Sequence, residues 1–243
     1  SKPIYRLETM DWSSPVTGQK IFDLSPLTLT NRFYHYDETT NTWVNNLTSN
    51  SVFTPGEYIA FRAPNTYNNY GSGSKQVFEG TFTGVPNNGN LIIPVTRNNF
   101  GNNAVGNPYP SPIDLDKFLG SNPLISKVFV WTHSKPIIDG NYNGNNWITY
   151  SKGSGWDNPT ISNNVIGIGQ GFIVQIAQQQ ITPPLPPFPY IPLQFYNTMR
   201  VGSQPTISYK NAIENDKFWL SLLHGDEVMN HTLIGYISGS TIN

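Results

Sequence analysis

The sequence contains no cysteine. Disulfides, thiolate metal sites and cysteine nucleophiles are therefore excluded, and the fold is held without covalent staples. Charge is nearly as scarce: 14 Lys and Arg stand against 15 Asp and Glu, 12% of the chain, for a net charge of −1. So balanced a chain has no electrostatic footprint for nucleic acid or an anionic membrane face. No apolar run approaches the roughly 18 residues of a membrane span, so no direct membrane insertion is expected. Nor does any segment longer than about ten residues hold a convincing helical period. No signal-peptide pattern opens the chain at Ser1, and the last residues stop just after a strand-like stretch; a piece of a larger parent is expected.

What the chain does have is turn formers and rings. Gly numbers 21, Pro 20 and Asn 29, and 13% of residues are aromatic. The Asn count equals that of all charged residues together, so neutral amides do the solubilising. This composition suits a β-rich, turn-rich fold, and a chain of 243 residues can bury roughly 70–75% of its unfolded surface.

One layout occurs twice. At an offset of about 97 positions, the chain's own register, Ser14-Pro15-Val16 falls on Ser111-Pro112-Ile113, and Ser25-Pro26-Leu27 on Asn122-Pro123-Leu124. In the later copy Ser111 is placed to cap a short helical turn, with Pro112 in the first helical position, Asp114 reaching back and Gly120 ending it. Asp114 and Asp116, two apart, could also hold a hard cation, though such pairs commonly only solvate a turn.

Strands follow in the same order in both copies. Arg32 to Tyr36, the return Thr42 to Val44, Gly56 to Phe61 and Gln76 to Thr83 match Lys127 to Trp131, Trp147 to Tyr150, Gly171 to Gln175 and Leu193 to Val201. Leu91 to Val95 reads as a further strand. Two more, Lys217 to Leu223 and His231 to Ser238, are joined by a turn from His224 to Asn230. The fold expected is all-β: a β-sandwich with two pseudo-repeated halves and short helical turns. Its units are 1–97, 98–204 and a C-terminal β-hairpin, 205–243, completing the sheets.

Chemistry-bearing patterns are few. Gly71-Ser72-Gly73-Ser74 and Gly153-Ser154-Gly155 fall short of a nucleophile elbow, and the four histidines lack metal-ligand spacing, so no enzyme is expected. Asp139-Gly140-Asn141-Tyr142-Asn143-Gly144 matches the first half of a calcium loop. Asp139, Asn141 and Asn143 are thus candidates for a structural calcium, although Tyr150 stands where the bidentate Glu belongs. Such Asn-Gly loops also simply close hairpins. Two loops in equivalent places carry rings: Tyr67 and Tyr70 in the first, Phe188 and Tyr190 among prolines in the second. Proline stiffness would display those rings at low entropic cost, for stacking on sugars or docking on protein.

Trp12-Ser13-Ser14-Pro15-Val16, Pro86-Asn87-Asn88-Gly89, Val105-Gly106-Asn107-Pro108-Tyr109-Pro110-Ser111-Pro112-Ile113-Asp114, Gly169-Gln170-Gly171-Phe172 and Phe195-Tyr196-Asn197-Thr198-Met199-Arg200 come in a telling order. Together they resemble the serial signatures of a module found in large surface and secreted proteins of Bacteroidota, especially flavobacteria. Those proteins usually end in a sorting domain for the type IX secretion system. The resemblance implies export and display at the cell surface, and brings no catalytic residues with it. The chain departs from that pattern in ending at Asn243 without a sorting domain and in its proline run Pro183 to Pro192. The function expected is a non-enzymatic extracellular module, structural or adhesive, whose partners are other surface proteins, copies of itself, or glycans. Carbohydrate binding by the loop aromatics is one alternative, and a filament subunit joined by exchange of Lys2 to Met10 is another.

Overall fold

The computed structural model of the chain describes residues 2–135, 137–138, 140–142, 144–177 and 190–203, and the backbone of 217–224 and 227–235. The chain divides into two compact units, Ser1–Tyr209 and Lys210–Asn243. Among the described residues every strand pairing is antiparallel, and one α-helix, Leu115–Ser121, is present.

Two principal sheets organise the larger unit. The first runs, edge to edge, Thr9–Trp12, Ile59–Arg62, Phe33–Asp37, Thr42–Val44. The second runs Asn102–Gly106, Gly171–Ile176, Ile125–Trp131, Trp147–Ser151, Gly155–Trp156. In both, the earliest strand holds one edge, the latest lies beside it, and the second and third follow. Short pairs flank each sheet. Lys2–Ile4 pairs with Gln76–Phe78, and Leu91–Val95 with Ile191–Phe195. Val16–Thr17 pairs with Val85–Pro86, while Ile113–Asp114 pairs with Val165–Ile166 and Ile113 also bridges Arg200.

Each sheet buries one face on its own core, as period-2 alternation requires. Met10, Trp12, Phe33, Ile59 and Phe61 point into the first, where they meet Ile4, Leu24, Phe53 and Phe78. Phe33 stacks on Phe61 at 5.0 Å between ring centroids. Val128, Val130, Ile148, Phe172 and Val174 fill the second, beneath Leu115, Phe118 and Leu119 of the helix. Phe118 meets Phe172 edge-on at 5.7 Å. Each such ring, fully buried, contributes roughly 1.5–3 kcal/mol.

The helix begins later than the sequence suggests. Its cap is Asp114, whose carboxylate accepts from Lys117 N–H at 2.9 Å, and Gly120 lies inside it. The cause is upstream: Ile113 and Asp114 are held extended by pairing with Ile166 and Val165, so the chain turns helical only at Leu115. Two other strands are shorter or shifted. The segment from Gln76 ends at Phe78, and the one expected from Leu193 covers Ile191–Phe195 before a 3-10 turn, Asn197–Met199. In the smaller unit, Lys217–His224 and Glu227–Gly235 pair up to His224 with Glu227, a tighter connection than the expected turn.

The two sheets are joined by contacts that come in matched pairs. Trp12 bridges Gln170, and Val105 bridges Glu57. Ser13 N–H donates to Gly169 C=O, and Gly106 N–H to Gly56 C=O, both at 2.9 Å. Gly56 and Gly169 have φ of +79° and +66°, a region only glycine enters freely. A Cβ on Gly106 would overlap the Cβ of Ser13, so the backbones meet there only because that side chain is missing.

Candidate functional site

The faces turned away from the two cores carry an unusual load of rings. On Phe33–Asp37 the residues are Tyr34 and Tyr36, on Thr42–Val44 Trp43, on Ile125–Trp131 Phe129 and Trp131, and on Trp147–Ser151 Trp147. These faces border a cleft with two lobes. One, about 340 Å³, is lined by Thr9, Asp11, Tyr34, Trp43, Tyr58, Ala60 and Arg62 from the first sheet and its approach, and by Trp131, Tyr142 and Trp147 from the second half. The other, about 380 Å³, is lined by Tyr36, Asn41 and Trp43 against Asn102, Phe129, Asn145, Trp147, Thr149 and Ile173. Trp43 and Trp147 belong to both lobes.

The rings are held by one another. Trp43 packs 5.3 Å from Tyr36 and 5.6 Å from Tyr58, centroid to centroid, and Trp131 lies 4.9 Å from Trp147 and 4.8 Å from Tyr142. Edge-to-face packing, with Trp43 tilted on Tyr58 at 37°, fixes these ring planes, and Trp43 keeps 43% of its surface exposed.

The polar floor of the first lobe is unusual for a sheet. Asp11 is buried; burial drives its carboxyl up to about 7, against a hydrogen bond from Tyr58 and the nearby charge of Lys2. The Tyr142 hydroxyl accepts from Thr9 N–H at 2.7 Å, and burial pushes that phenol up to about 12. Arg62 is half-buried at the rim.

Beside the cleft, each half clasps the other. Glu38, in the turn after Phe33–Asp37, is buried and accepts from the backbone N–H groups of Asn98, Asn99 and Gly101 and from the Thr96 hydroxyl, at 2.8–3.0 Å. Burial alone would raise its pKa, but the combined donors hold it below the ordinary value. His133, in the connection after Ile125–Trp131, donates from Nε2 to Thr9 C=O at 2.8 Å. Its Nδ1 lies 3.6 Å from the Glu8 carboxylate. Burial and then the Lys2 charge bring the imidazole down to about 2, while burial raises the Glu8 carboxyl. The imidazole therefore meets Glu8 uncharged, and the cation beside that carboxylate is Lys75, with its Nζ 3.8 Å away.

The residues nominated from sequence do not converge. Tyr67 donates its hydroxyl to Val77 C=O at 3.1 Å and packs on the first core. Tyr70 is half-exposed, edge-on to Tyr5 at 5.4 Å, and lines a separate cavity of about 590 Å³ with Arg6, Ile137 and Gly140. Tyr190 is exposed beside Ile191–Phe195, and Phe188 lies outside the described residues. Of the calcium candidates, Asn141 pairs with Ile138 in a short hairpin, while Asp139 and Asn143 lie outside the described residues. Among the described residues no group of three His, Asp or Glu could hold a metal ion. Asp114 is used as a helix cap, and Asp116 accepts from the Tyr150 hydroxyl at 2.5 Å and Asn164 at 2.8 Å.

The cleft itself escaped sequence reading, although a signal was present. A strand with one buried face should alternate apolar and polar residues. Phe33-Tyr34-His35-Tyr36 carries rings on both parities, and Val128-Phe129-Val130-Trp131 sets valines on one parity and rings on the other, which marks a second face that is also covered or occupied.

The whole chain, residues 1–243, matches the family described as Domain of unknown function (DUF8693), and it belongs to that family. No curated protein and no solved structure matches it.

Proposed function

We propose that the chain is a non-enzymatic structural and adhesive module, working outside a bacterial cell as part of a surface protein or surface assembly. In this reading it is a β-sandwich of two copies of one unit. The observation that carries it is the set of matched contacts between two sheets of the same strand order: Trp12 with Gln170 and Val105 with Glu57, Ser13 with Gly169 and Gly106 with Gly56. Contacts that are returned residue for residue are those of a pseudo-two-fold axis. The junction of the copies then falls before Leu91, because Leu91–Val95 is to the second sheet what Lys2–Ile4 is to the first. Backbone hydrogen bonds on both sides of such an axis make a stiff block, suited to holding a binding face away from a cell.

Export through the type IX pathway belongs to the same reading and rests on the sequence resemblance. The test is made on intact cells of the producing bacterium with a membrane-impermeant amine label. The chain is expected to be labelled before lysis, and cells lacking it are expected to attach less well to coated surfaces. A chain that stays unlabelled until lysis overturns the proposal. Light scattering of the released native particle decides whether it works as single copies or as an assembly.

A further inference from the structure

We infer that the two-lobed cleft around Trp43 and Trp147 is a binding site for a neutral oligosaccharide. Three features of the cleft argue for this ligand. First, its walls are rings whose planes are fixed by their neighbours and whose faces stay partly open, with Trp43 43% exposed. The C–H faces of a pyranose pack on such surfaces, and preorganised rings bind without losing further rotamer freedom. Second, the floor and rim offer directional polar groups, Asp11 and Arg62 in one lobe and Asn102 and Asn145 in the other. Tyr58 already bonds Asp11, and Asn102 and Asn145 accept from Gln175 and from Trp147 N–H, so a ligand here adds to an existing polar lining; sugar hydroxyls, which both donate and accept, can do so and a lipid chain cannot. Third, one carboxyl and one guanidinium form no cationic cluster, so an acidic polymer has nothing to hold it.

The volumes agree. Lobes of about 340 and 380 Å³ sit at the small end of ligand pockets, about 300–1,000 Å³. Their meeting at a pair of tryptophans fits a ligand made of repeated units, one seated on each side. The site is distinct from the loop rings Tyr67, Tyr70 and Tyr190, none of which lines either lobe. The inference rests on the adhesive reading only for where the site is used, and it is tested on the purified chain, so either can fail without the other.

The experiment is titration of the full chain with a panel of neutral oligosaccharides, followed by tryptophan fluorescence and calorimetry. At least one member is expected to bind and to shift the emission. Trp43→Ala and Trp147→Ala should each weaken it tenfold or more, Arg62→Met should weaken it less, and Tyr70→Ala should leave it unchanged. Unchanged thermal melting of Trp43→Ala, whose ring is half-exposed, separates lost binding from lost fold. The inference is overturned if no neutral oligosaccharide binds the folded chain, if binding survives both tryptophan variants, or if an extended peptide occupies the cleft and sugars do not.

Discussion

Glu38 and His133 stand in corresponding turns of the two sheets, and each reaches the backbone that leads into the other sheet's edge strand. One does so as an acceptor of several N–H groups, the other as a donor to a single carbonyl. The rest of the interior follows suit. Around His133 the polar groups are ionisable, namely Glu8, Asp11, Lys2 and Tyr142. In the second half they are mostly neutral amides: Asn122 spans Phe118 C=O and Gln194, Asn103 closes on Thr96, and Asn107 ties Ser111 to Gly167. One strand order thus tolerates two ways of satisfying buried polar groups, and the choice decides which half senses pH.

The largest expected effect asks whether the halves are separable at all. Phe61→Ala and Phe118→Ala each empty a fully buried site in a different core and should cost about 3–5 kcal/mol. Because the sheets share backbone bonds, both variants should lower one common unfolding transition of residues 1–209, read by calorimetry. A variant that splits off a second transition in its own half would break the comparison.

The next effect compares the clasps directly. Glu38→Ala leaves the N–H groups of Asn98, Asn99 and Gly101 without their acceptor and should cost about 3 kcal/mol; His133→Ala leaves one carbonyl and should cost about 1–2 kcal/mol. Urea midpoints of the two variants measure the ratio, and equal losses would mean that the number of bonds is not what matters.

The smallest effect is the pH response. Glu38, held below its ordinary value of 4.5, contributes stability above that pH and loses it as pH falls through its folded value. His133, at about 2 in the fold against 6.5 unfolded, loses stability as pH falls from 6.5 toward 2. Asp11 has the opposite sign: raised from 3.8 to about 7, it contributes most below 3.8 and loses that contribution as pH rises to 7. Asp11→Asn should therefore raise Tm by a few degrees at pH 7 and change it little at pH 4. A uniform shift at both pH values would remove Asp11 from the account.

Strand positions were readable wherever local pattern and tertiary demand coincide. Leu91–Val95 and Thr42–Val44 fall where their sequences place them, and Phe33–Asp37 and Trp147–Ser151 within a residue. The helix cap was misplaced because Ser111-Pro112 is a good local start, and only the pairing of Ile113 with Ile166, 53 positions on, forbids it. Clustering of Trp43 with Trp147 was equally out of reach, since it depends on which faces the sheets turn toward each other. The rings a sequence shows most plainly are those in turn-rich stretches, Tyr67, Tyr70, Phe188 and Tyr190. The glycines Gly56 and Gly106 were visible as letters, but their role depends on a partner more than 40 residues away.

The Glu38 clasp also bears on where the chain can be cut. Its donors lie at residues 96–101, about sixty positions beyond the carboxylate they serve. A gene fragment ending before Leu91 would encode a buried carboxylate with none of these donors, and so a product that folds poorly alone. Any piece meant to be transplanted or expressed intact must therefore carry both Glu38 and residues 96–101.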